Sequence, residues 1–86
     1  MGQNEIERNL GVQPLETILN EMALGNHDLV SASEEPITHK AIARARKGRR
    51  LTPHMQQRVA AALNRVISLQ GRTIEREYGV SDLFTY

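Results

Sequence analysis

An 86-residue chain with no cysteine and a formal net charge of +1 is one small domain at most, because a chain of this size buries roughly 60–65% of its unfolded surface and gains modest stability. The composition excludes a disulfide framework and a thiolate metal site, and the length leaves no room for the cleft between domains where most enzymes work, so neither catalysis nor a cofactor is expected. The charge is unevenly laid: residues 1–37 carry −6, residues 38–50 carry +6 and residues 51–86 carry +1, which concentrates attraction for an anion in one patch.

Residues 1–12 read as a loose, flexible arm. Ile6 and Leu10 could pair one helical turn apart, but Gly11 and the polar content oppose a stable helix. The arm lacks the basic start and apolar run of a secretory signal. No segment reaches the apolar length that spans a membrane. The expected location is cytoplasmic.

From Pro14 the pattern is regular. Leu15, Ile18, Leu19 and Met22 follow the spacing of an amphipathic helix, Pro14 suits its first turn, and Gly25 is the expected stop. Asn26 is the expected N-cap of a second helix, with Asp28 favoured in its first turn by the helix dipole. That helix can run only about two turns before Glu34-Glu35-Pro36, since proline disfavours helix at the residue before it.

Thr38 caps the next helix and Gly48 closes it in the left-handed conformation. On a helical wheel Ala41, Ile42 and Ala45 form the core face. Lys40, Ala43 and Lys47 point outward, His39 and Arg44 flank them, and Arg46 lies nearer the edge. The small Ala43, placed at the centre of the outer side, would let the backbone come close to a groove.

Thr52-Pro53 is a strong start signal, an N-cap followed by proline. Behind it Met55, Val59, Ala62, Leu63 and Val66 line one face of a helix reaching Leu69, with Gly71 past its end. Residues 73–78 alternate weakly and read as extended, and Ser81 is the expected cap of a final turn. The fold class is therefore all-α, a compact bundle of four to five short helices over residues 13–86, with a tail at 72–86. Leu83, Phe84 and Tyr86 in that tail either pack on the helix that starts at Thr52 or serve a dimer contact.

A short helix with one apolar side and one cationic side suits double-stranded DNA. In a helix-turn-helix the second helix enters the major groove with its N-terminal residues on the base edges, which assigns base reading to His39, Lys40 and Arg44. Arginine pairs with guanine O6 and N7 in a bidentate manner, and lysine donates to the same acceptors less selectively. Lys47, Arg49 and Arg50, at and beyond the helix end, are assigned to phosphate. So are Asn26 and His27, at the start of the preceding helix.

The run Ile37, Thr38, His39, Lys40, Ile42, Arg44, Lys47, Gly48 resembles the recognition helix of lambda repressor/Cro-type helix-turn-helix proteins. That pattern is a hydrophobic residue, a Ser/Thr cap, polar readers, a buried Ile, another reader, then a basic residue and Gly. Leu51-Thr52-Pro53 through Leu63-Asn64 resembles the family's next helix, and Val80 to Phe84 its closing turn, so the resemblance spans about residues 14–84. The chain departs from the pattern at Val30, where the family has a small residue, and at the longer turn Glu34-Glu35-Pro36. The resemblance implies a sequence-specific, dimeric regulator of transcription that acts by occupying DNA.

Other readings compete. The basic helix could be an exposed salt-bridging surface: it has no acids of its own for pairing along the helix, but it could pair with the acidic first helix. It could bind an acidic protein partner, in a protein-interaction or antitoxin-like module that uses the tail. RNA is less suited, because single-strand readers stack bases on aromatic rings and this chain has one Phe, two Tyr and no Trp. His27, His39 and His54 lack zinc-ligand spacing. Ser31 and Ser33 lie near His27 and Asp28 in sequence without the loop that a nucleophilic serine needs.

Overall fold

The longest helix packs against two of the others. The structure, a computed structural model, describes residues 11–72 and 76–86. These contain five helices and no strand: α1 (Pro14–Glu21), α2 (Asn26–Ala32), α3 (His39–Arg46), α4 (Pro53–Leu69) and α5 (Val80–Leu83). The arm up to Leu10 and residues 73–75 of the extended stretch expected over 73–78 lie outside the described residues, and 76–78 form no strand. None of the described helices is long and apolar enough to cross a membrane.

α4 starts where the sequence predicts. The Thr52 hydroxyl accepts from the Met55 N–H at 3.2 Å, with Pro53 in the first turn. Val59, Ala60, Ala62, Leu63, Val66 and Ile67 are buried on it, while Met55 is half-buried. Gln56 is buried as well, and its Nε2 donates to the Leu51 carbonyl at 2.7 Å, so the amide is not left without a partner. α2 packs along α4 through Leu29 and Ala32, and α1 contributes Leu15 and Leu19, both fully buried.

Three helix boundaries differ from expectation. α1 ends at Glu21, and Ala23 makes the left-handed turn with φ +57°. Gly25 is instead the N-cap of α2, which makes Asn26 its first helical residue. The Asp28 carboxylate accepts from the Gly25 N–H at 2.7 Å, and the Asp28 N–H donates to the Gly25 carbonyl at 3.1 Å. An acid at the third helical position satisfies the cap backbone, so the cap itself needs no side chain. The same device starts α5: Asp82 accepts from the Gly79 N–H at 2.7 Å, and Gly79 rather than Ser81 is the cap.

The tail belongs to the core. Leu83 and Phe84 are buried where α5 meets α1 and α4. The Tyr86 hydroxyl accepts from the Leu51 N–H at 2.9 Å. The Asn64 carboxamide pairs both ways with the backbone of Tyr78, at 2.8 and 2.9 Å. Of the three side chains offered by sequence as a dimer contact, Leu83 and Phe84 are buried within the chain and Tyr86 is half-buried. Gln13, 1% exposed, ties the two ends together: its Nε2 donates to the Gly11 carbonyl at 2.8 Å, and its Oε1 accepts from the Thr85 N–H at 2.7 Å.

Candidate nucleic-acid interface

α3 is built from both ends. The Thr38 hydroxyl accepts from the Ala41 N–H at 3.0 Å. At the other end Gly48 has φ +112°, and a Cβ there would collide with the backbone of Gly11. Only glycine satisfies both the left-handed turn and this close approach. Ile42 and Ala45 are fully buried, and Ile37 just before the helix is buried too.

The helix is rotated relative to the wheel drawn from sequence. Ala41 is half-buried rather than buried, and so is Ala43. The inward stripe is Ile42, Ala45 and Arg46, spaced as neighbours on one helix face. Its opposite side is therefore centred on Lys40, Arg44 and Lys47, with Ala43 at the flank instead of at the centre. His39, Lys40, Arg44 and Lys47 are all exposed, as are Arg49 and Arg50 beyond the helix.

Arg46 is the residue that the sequence reading missed. Its Nε meets Glu16 Oε1 at 2.5 Å, one terminal nitrogen donates to Asn26 Oδ1 at 2.8 Å, and the other donates to Asn20 Oδ1 at 3.1 Å. One guanidinium thus joins α3 to both α1 and α2. The Asn20 amide donates in turn to the second Glu16 oxygen at 3.1 Å. The Arg46 hydrogen bond, followed by that of Asn20, holds the Glu16 carboxyl below its ordinary pKa. The Arg46 carbonyl also accepts from the Gln13 N–H at 3.3 Å.

The link between α2 and α3 is pinned to α4. The Arg58 guanidinium donates to the Pro36 carbonyl at 3.1 Å and lies 3.4 Å from the Glu35 carboxylate. Arg65 lies 3.5 Å from Glu34. These acids are engaged by α4, and Glu16 is engaged by Arg46. Among the described residues no acid forms an ion pair with Lys40, Arg44, Lys47, Arg49 or Arg50.

The predicted phosphate ligands fall into two groups. Lys47, Arg49 and Arg50 follow α3, with the Arg50 guanidinium 5.6 Å from the centre of the Tyr86 ring. Asn26 and His27 stand at the start of α2. The Asn26 oxygen is occupied by Arg46, which turns that residue partly to a structural role. His27 lies beside His39, with ring centres 6.0 Å apart and planes 14° from parallel. Residues assigned separately to phosphate and to bases thus share one place. The exposed flank of α3 offers N–H donors and positive charge, which can hold an anion. Among the described residues no group of three or more His, Asp or Glu side chains could hold a metal ion.

No protein-family model, curated protein or solved structure matches the chain.

Proposed function

We propose that the chain is a sequence-specific DNA-binding regulator of transcription, with α2 and α3 acting as a helix-turn-helix of the lambda repressor/Cro type. The observation that carries this reading is the outer flank of α3. Lys40, Arg44 and Lys47 are exposed there without an ion-paired acid among the described residues, while Arg46 holds the helix from behind. A B-DNA major groove about 12 Å wide admits such a helix.

In this reading Arg44, Lys40 and His39 meet base edges. Lys47, Arg49, Arg50 and His27 meet phosphates, and Asn26 contributes its amide N–H. Arg44 lies near the middle of the outer face and is the principal reader, through guanine O6 and N7. A dimer would set two copies of α3 about 34 Å apart, matching half-sites one turn apart. Because Leu83 and Phe84 are buried within one copy, its contact would draw on other side chains. The protein would regulate by occupying its site in the cytoplasm, with no chemical step.

Selection from a random duplex pool, read by sequencing, tests the proposal. An enriched motif that depends on Arg44 supports it. A pool that returns without enrichment, together with retention of an acidic protein on the same surface, would favour the protein-interaction module.

A further inference from the structure

His27 is the second residue of α2 and His39 the first of α3. Their exposed rings lie 6.0 Å apart and nearly parallel. The Ser31 hydroxyl is 3.4 Å from His27 Nε2. On the α4 side, the residues that share a shallow hollow with His27 are Val66, Leu69 and Gln70, none of them charged. Asp28 also lines that hollow, but its carboxylate accepts from the Gly25 N–H. On α3 the next residue after His39 is the exposed cation Lys40. The pair therefore lies between the exposed cation Lys40 and the Asp28 carboxylate, beside an uncharged stretch of α4.

Histidine is the side chain whose charge changes between pH 5 and 8. Phosphates laid along α3 would favour the charged form of both rings. A ligand that favours the charged pair must take up protons as it binds.

We infer that the His27–His39 pair makes DNA binding proton-linked, so that the protein holds duplex more tightly as pH falls from 8 to 6. The inference rests on the DNA-binding reading above and adds its regulation. Charge on His27, the phosphate-facing member of the pair, creates a new phosphate contact, so the salt dependence of binding also steepens at the lower pH, by about 0.9 in the log–log slope.

The test uses the full chain and a fluorescent mixed-sequence duplex, with anisotropy titrations from pH 6 to 8 at several salt concentrations. The wild type is expected to take up about one proton per binding event, seen as the slope of log affinity against pH. His27→Gln and His39→Gln are each expected to retain about half that slope, and the double variant almost none. His54→Gln, in the first turn of α4, keeps the wild-type slope. Because the altered rings are exposed, circular dichroism should show the fold unchanged. Binding with equal pH slopes in wild type and double variant would overturn the inference alone. A protein that binds no duplex at any pH would instead overturn the DNA-binding reading.

Discussion

Arg46 and Glu16, separated by 30 residues in sequence, meet at 2.5 Å and fix the recognition-helix candidate against the first helix of the fold. The pair is partly shielded, with side chains 15% and 32% exposed. The two asparagines complete it, so Arg46 makes three hydrogen bonds through three nitrogens. It is the basic residue of the 38–50 segment that serves the fold.

Arg46→Ala should therefore destabilise the protein by about 2 kcal/mol, after allowance for solvent screening of a pair that is not fully buried. That corresponds to about 10 °C in Tm for a domain of this size. Arg44→Ala, two positions earlier and exposed, should change stability by less than about 0.5 kcal/mol. Thermal unfolding of both variants checks the contrast, and equal losses would contradict the assigned orientation of α3.

Duplex binding should show the reverse ranking among folded variants. Arg44→Ala should relax preference at one base position, at about 1–3 kcal/mol of discrimination. Arg49→Ala or Arg50→Ala should weaken all duplexes alike and lower the salt slope by about 0.9 each. Titrations against the selected duplex and a scrambled one separate the two effects. Similar losses on both duplexes for Arg44→Ala would remove it from base reading.

Acid sensitivity follows from two carboxylates. Arg46 and Asn20 lower the pKa of Glu16 from 4.5, while Arg76 and then the Gly79 N–H lower Asp82 from 3.8 to about 2. Both groups bind protons more readily in the unfolded chain, so their stabilisation is fully present above the ordinary carboxylate range. It is lost as pH falls through that range toward the folded values. Their contribution to Tm should thus be flat from pH 7 to about 5 and decline between about 4.5 and 2. Glu16→Gln and Asp82→Asn should each flatten that decline, as measured by calorimetry across the pH series.

Ala23 offers a gain. Its φ of +57° places a non-glycine residue in the left-handed region, at a cost of about 1–2 kcal/mol. Ala23→Gly relieves this and returns about 0.5–1 kcal/mol through the greater freedom of the unfolded chain. The expected net effect is a rise of a few degrees in Tm. A fall in Tm would show that the turn is shaped by contacts of the Ala23 methyl.

The starts of α3 and α4 were legible because their chemistry is local. Thr38 and Thr52 cap N–H groups three residues on, and Gly48 and Gly71 supply the left-handed stops. Leu15 and Leu19 declared themselves by spacing. The misread starts of α2 and α5 carried a local signal as well: Gly25 precedes Asp28 and Gly79 precedes Asp82 by three residues, so the acid does the capping. The rotation of α3 was not legible. It depends on the attraction between Arg46 and Glu16, and no periodicity within residues 38–50 encodes a partner on another helix. The two histidines likewise sit twelve positions apart, and only the path of the α2–α3 link brings their rings together.

Gln13 closes the chain into a loop: its carboxamide grips Thr85, 72 residues away, while its N–H holds the last carbonyl of α3. Removing Thr85 and Tyr86 would thus do more than fray the tail. It would release the anchor of the first helix and loosen the brace behind the basic rod, so melting should proceed as a single event with no surviving fragment.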